Sequence, residues 1–129
     1  MNNELLQIIK DPIQAPQFVE ISTCCGSNEE AHKIARLAVE KRLCACAHII
    51  PIDSYYRWQG EVTQDTELKI FFKTTSKNAK SLADLIKTEH SYALPAVVEH
   101  PLRPLTIEYG QWIQENSSET KPIEAPALR

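Results

Sequence analysis

The feature that most constrains this chain is a pair of long β-type runs in residues 44–75. Residues 44–58, CACAHIIPIDSYYRW, are rich in β-branched and aromatic side chains. Residues 67–74, ELKIFFKT, alternate strictly, with Leu68, Ile70 and Phe72 on one face and Lys69, Phe71 and Lys73 on the other. Pro51 interrupts the first run and predicts a bend or bulge, because proline removes a ladder donor. The polar stretch QGEVTQDTE between the runs predicts the hairpin tip. Phe71, a large aromatic on an otherwise charged face, points to a subunit contact.

Helical patterns flank this hairpin. Before it, QFVEIST predicts a strand, Gly26 a turn, and Ser27 or Asn28 a cap for a helix that opens with Glu29 and Glu30. Ala31, Ile34, Ala35 and Ala38 keep helical spacing, so that helix is expected to run to about Leu43. After the hairpin, Ser76 is expected to cap a second helix, with Ala79, Leu82, Ala83, Ile86 and His90 along one stripe. His90 then falls at the helix C-terminus, where an imidazole suits the dipole and can bond a terminal carbonyl. Tyr92 and Pro95 fix the exit of the chain into a last strand, PAVVEHPL. A terminal helix over IEYGQWIQEN has Ile107 and Trp112 as anchors, weakened by Gly110.

The order strand, helix, strand, strand, helix, strand is the split βαβ, or ferredoxin-like, α+β arrangement with both helices on one face of an antiparallel sheet. The other face is left bare, and self-association covers it most economically. The domain is expected over residues 17–113, with an N-terminal extension at 1–16 and a polar, proline-bearing tail at 114–129. A chain of 129 residues allows one domain. Its net charge of −3 offers no basic face for nucleic acid. The N-terminus lacks the basic start and apolar core of a signal peptide, and no segment reaches transmembrane length. Four cysteines in neither redox nor zinc-finger spacing then read as reduced cytoplasmic thiols.

Five segments, in order, resemble the CutA family of divalent-cation tolerance proteins: KRLCACAHIIP, SYYRWQG, ELKIFFKT, HSYALP and YGQW. The resemblance covers essentially residues 17–113. It implies a homotrimer in which long hairpins cross neighbouring subunits, an architecture similar to the PII signalling proteins. It also implies a link to copper and other divalent ions, with no required cofactor and no established catalytic activity. The chain departs from the family pattern in three places. Ala96 follows Pro95 where the family carries a glutamate, which removes a carboxylate that could join His90 in holding a metal. The spacing between Pro51 and Ser54 is one residue short, and Cys44 and His48 stand where other residues are common.

The metal-ligand candidates are His90, Cys46, Cys25 and His48. Cys44, Cys46 and His48 share one strand face, but such a row spans about 13 Å, so only two of them, or ligands from different subunits, can close on one ion. Glu99 and His100 fall on opposite faces of their strand and cannot chelate together. For a small anionic ligand or a protein partner in a PII-like cleft, the candidates are Arg57, Trp58, Lys73 and Tyr92. Interface candidates are Tyr56, Trp58, Phe71 and Trp112, while Glu67, Lys69 and Lys73 are expected to form a charge network. A nucleophile reading falls on Cys25, whose place at the start of the first helix favours a lowered thiol pKa.

Overall fold

The computed structural model describes residues 16–119. The extension through residue 15 and the tail from residue 120 lie outside the described residues. The elements are β1 (Phe18–Cys25), α1 (Asn28–Glu40), β2 (Cys46–Trp58), β3 (Glu61–Thr75), α2 (Ala79–Glu89), β4 (Val98–Leu102) and α3 (Ile107–Asn116). The sheet order is β2-β3-β1-β4, and every pair is antiparallel. This is the split βαβ topology.

The alternation of β3 sets the layers. Ile70 and Phe72 are fully buried with Val19, Ile21 and Cys25 of β1, against Ala31, Ile34 and Ala38 of α1 and Leu82 and Ile86 of α2. Each large side chain buried there contributes about 1.5–3 kcal/mol. Lys69, Phe71 and Lys73 face the other way, and the Lys69 ammonium stands 5.3 Å from the centre of the Phe71 ring.

The hairpin is longer and more regular than its sequence suggests. Its register runs without a slip from Cys46↔Lys73 to Trp58↔Glu61, so Pro51 makes no bulge. The reason lies in topology: β2 is an edge strand, where the missing amide hydrogen costs no ladder bond. The tip is only two residues, Gln59 and Gly60, at φ 51° and 83°, the left-handed pair that a tight twisted hairpin demands. The remainder of the polar stretch, expected as tip, is strand. Because β1 pairs only with residues 68–75 of β3, the distal ribbon of residues 52–67 runs on beyond the other strands.

The helix ends differ from expectation for identifiable reasons. Helix α1 stops at Glu40 rather than Leu43, because Arg42 takes φ 60°. The Leu43 amide then bonds the Ala38 carbonyl and the Arg42 amide that of Val39, the paired bonds of a Schellman motif. Ser76 caps nothing: its hydroxyl donates to the Pro16 carbonyl. A 3-10 turn over Ser76–Asn78 leads into α2, and the Asn78 amide donates to the Ser117 carbonyl instead of capping. In α3 the inward residues are Gly110 and Ile113, while Ile107 is 77% exposed, so Ile107 is no anchor. Trp112 is half-buried and stacks on Tyr109 at 5.5 Å. Helix α3 passes through Gly110 unbroken, and Ser117 beyond it is buried, so packing continues past residue 113.

Candidate functional site

The end of β1, the start of α1 and the end of α2 meet at one point. Ser27 caps α1 by accepting a hydrogen bond from the Glu30 amide at 3.2 Å. The Glu30 carboxylate does not fold back to complete a capping box. It reaches across to the segment after α2, accepting from the Ser91 amide at 2.8 Å and the Ser91 hydroxyl at 3.1 Å.

His90 ends α2 by turning to extended backbone, φ −80° and ψ 137°. Its side chain is fully buried. Nε2 lies 2.8 Å from the Cys24 carbonyl oxygen, which can only accept, and the Tyr92 amide donates to Nδ1 at 3.2 Å. Those two partners together assign the neutral ring with its proton on Nε2. The imidazole therefore bonds a strand carbonyl 66 residues away rather than a carbonyl of its own helix end.

Cys25 and Glu30 flank this ring. The Cys25 sulfur is 3.9 Å from Nε2, and Glu30 Oε2 is 3.9 Å from Nδ1. One ligand-type atom from each of Cys25, Glu30 and His90 lies within 4.8 Å of the others. The set mixes thiol, imidazole and carboxylate, which suits borderline divalent ions. Glu30 thus supplies beside His90 the carboxylate that Ala96 does not. Burial, followed by the charge of Glu30, pushes the Cys25 thiol up to about 12. The lowered thiol pKa expected at the start of α1 is overturned: the thiol is fully buried at the end of β1, where desolvation and then the Glu30 charge favour its protonated form.

Cys46 and His48 do not join Cys25 and His90. They pair opposite Lys73 and Phe71, which places them on the sheet face away from the helices. The row of Cys44, Cys46 and His48 does not form either, because Cys44 precedes β2 and is fully buried in the core. Glu99 and His100 do fall on opposite faces, paired with Ile21 and Glu20.

A second constellation lies along the hairpin. Arg57, Trp58 and Tyr92, together with Tyr56, Asp65 and Glu67, line a groove of about 630 Å³. The Tyr92 hydroxyl donates to Glu67 Oε2 at 2.9 Å, and Tyr56 donates to Asp65. Gly26 leaves room for this arrangement: a Cβ there would stand 3.1 Å from the Tyr92 hydroxyl, tight enough to push that ring back by a few tenths of an ångström. Lys73 is elsewhere, 3.4 Å from His48 Nδ1 and 3.6 Å from a Glu20 carboxylate oxygen. The charge network expected among Glu67, Lys69 and Lys73 is accordingly absent among the described residues. Of the interface candidates, Tyr56 and Trp58 are exposed on one face of the ribbon, and Phe71 lies further along that face.

Sequence reasoning missed Glu30 and Asp65. Glu30 carried a usable signal, because a glutamate three residues after a capping serine is held at a helix N-terminus directly beside the preceding strand. Asp65 carried none, since its polar neighbourhood reads as a loop.

A split βαβ domain with an overlong hairpin, and with a helix-ending His90 closed onto the first strand, defines a small ferredoxin-like α+β protein. The chain belongs to the family described as CutA1 divalent ion tolerance protein, which matches residues 19–116. It is 42% identical over 92 residues to the divalent-cation tolerance protein CutA of Thermus thermophilus, covering 70% of this chain and 89% of that one. To the human protein CutA it is 36% identical over 92 residues, spanning 70% of this chain and 51% of that one. Among solved structures, the periplasmic divalent cation tolerance protein CutA of Archaeoglobus fulgidus matches with a TM-score of 0.76 at 34% identity, covering 78% of this chain and 99% of that one. CutA of Synechococcus elongatus matches at 0.77 and 33%, covering 81% and 93%. Among the described residues no helix is long and apolar enough to cross a membrane.

Proposed function

We propose that this chain serves in divalent metal tolerance as a cytoplasmic homotrimer that holds copper or another divalent ion weakly, with Cys25, Glu30 and His90 as the ligands. The observation that carries the ion reading is the convergence of three ligand types within 4.8 Å, from a strand, a helix start and a helix end. Weak binding follows from the same geometry. An ion must displace the Cys24 or Tyr92 hydrogen bond of His90 and the thiol proton of Cys25.

The trimer is supported by the distal ribbon. Tyr55, Tyr56, Trp58 and Val62 are 75%, 38%, 49% and 69% exposed. They fall on both faces of the ribbon, and such a surface is an interaction surface by its chemistry.

Calorimetry with Cu(II), Cu(I) and Zn(II) on the wild type, Cys25→Ser and His90→Ala tests the ligand set. Affinity that is unchanged in both variants removes it. Sedimentation of the full chain tests the assembly, and a monomer at micromolar concentration removes the trimer.

A second reading is a PII-like sensor that binds a small ligand in the hairpin groove. The observation favouring it is the groove itself, whose size falls in the range of small-molecule sites, about 300–1,000 Å³. A rise in melting temperature with metabolites but not with metals separates it from the first reading.

A further inference from the structure

We propose that His90 takes up an ion through Nδ1, and that this uptake is coupled to release of Tyr92 from Glu67. This rests on the first reading, the ligand set of Cys25, Glu30 and His90, and it names the ligating atom and the contact that regulates it. The two ring nitrogens have different obligations. Nε2 carries the proton and gives it to the Cys24 carbonyl at 2.8 Å. Were Nε2 to ligate, that carbonyl would lose its donor, and the proton, moved to Nδ1, would face the Tyr92 amide hydrogen.

Nδ1 is the less costly nitrogen. Its lone pair accepts the Tyr92 amide through a longer bond, 3.2 Å, and the Glu30 carboxylate is on that side, with Oε2 3.9 Å away. With Nδ1 ligating, Nε2 keeps its proton on the Cys24 carbonyl. A backbone acceptor on the second nitrogen is what orients a ligating histidine and fixes its tautomer. The Cys25 sulfur lies 3.9 Å from Nε2, the nitrogen already committed. Glu30 and Nδ1 therefore form the leading pair, and the thiol, still to lose its proton, is the third ligand.

Ligation at Nδ1 expels the Tyr92 amide, and the residues on either side of that peptide bond are held differently. Ser91 stays with Glu30, its amide on Oε1 at 2.8 Å and its hydroxyl on Oε2 at 3.1 Å. A carboxylate has lone pairs enough to accept both bonds and still ligate. Tyr92 is held instead by its hydroxyl on Glu67 Oε2 at 2.9 Å, with its ring 4.8 Å from the His90 ring. Since Ser91 is anchored to a ligand, the displacement falls on Tyr92, and the Glu67 bond is the contact that resists it. Glu67 is only 8% exposed, so losing its donor is costly. Such coupling is reciprocal: what holds Tyr92 on Glu67 weakens ion binding, and ion binding weakens that hold.

The experiment is ring-nitrogen NMR, amide hydrogen exchange and calorimetry on the full chain with Zn(II). In the wild type the expected result is zinc on Nδ1 with the proton kept on Nε2, and faster exchange at the Tyr92 amide while the Ser91 amide stays protected. Tyr92→Phe keeps the ring and the amide and removes the hydroxyl tether, so it should bind Zn(II) about fivefold or more tightly than the wild type. Circular dichroism and sedimentation confirm its fold and assembly, and the two wild-type measurements decide the matter where that variant fails to fold. Zinc on Nε2, a Tyr92 amide as well protected with zinc as without it, or a Tyr92→Phe affinity no higher than that of the wild type overturns the proposal and leaves the ligand-set reading standing. No heat and no shift with Zn(II) in the wild type removes both.

Discussion

The buried ring of His90 reaches back 66 residues to the end of the first strand, where Nε2 meets the Cys24 carbonyl at 2.8 Å. The other nitrogen accepts the Tyr92 amide. One side chain therefore ties the end of α2, the edge of β1 and the segment that carries Tyr92 into the groove. The ion candidate and the groove are mechanically joined through it.

Replacing His90 by alanine leaves a cavity and two unpaired backbone groups. The expected loss is about 2–4 kcal/mol in urea unfolding at fixed protein concentration. Hydrogen exchange should quicken at the Tyr92 amide first. A loss below about 1 kcal/mol, with Tyr92 still protected, would show that the ring is not what holds this junction.

Stability should fall in alkali because of two core thiols. Cys25 and Cys44 are each pushed from 9.0 up to about 12, mainly by burial. The unfolded chain loses these protons above the ordinary value while the native state keeps them. Their contribution is full below pH 9 and drains away as pH rises toward 12. Each thiol adds a slope of about 1.4 kcal/mol per pH unit in that window. The difference between wild type and Cys44→Ala in urea midpoint, followed from pH 8 to pH 11, isolates one of them; parallel curves would contradict the burial argument.

If Cys25 ligates an ion, the same proton governs affinity. Binding must expel it, so apparent Zn(II) affinity should rise about tenfold per pH unit between about pH 6 and 8. Cys25→Ser should be weaker and lose that slope. A pH-independent wild-type affinity means that the thiolate is not a ligand.

The fold was legible where side-chain period and burial coincide. The alternation of Leu68, Ile70 and Phe72, and the helical spacing of Ala31, Ile34 and Ala38, each report a face against a common core. The hairpin tip was obscured because residues 61–66 carry one apolar side chain, Val62, among polar ones, and only pairing with residues 53–58 makes them strand. Pro51 misled because edge position is a property of the sheet order. At the site, His90 was visible through its place at a helix end, but its partners were not: Glu30 meets Ser91 across 61 positions of chain. The choice of Tyr92 by Glu67, over the adjacent Lys69, likewise depends on where the segment after α2 lands.

Arg42 offers the last test. Its φ of 60° is unfavourable for a residue with a Cβ, by roughly 1 kcal/mol. Its guanidinium compensates by reaching the far end of the chain, where Nε donates to the Ser118 carbonyl at 2.6 Å and an Nη to that of Glu115. Charge-assisted bonds to a carbonyl in the last turn of α3 and to one just beyond it also suit that helix's dipole. Arg42→Gly relaxes the backbone and removes the clasp, whereas Arg42→Ala keeps the strain and removes the clasp. Alanine should therefore be the more damaging, by about 1 kcal/mol beyond glycine. Both variants should expose the Asn116–Ser118 segment to limited proteolysis well before the core unfolds. Equal stability of the two variants, or unchanged cleavage after α3, would show that Arg42 neither stores strain nor holds the terminal helix.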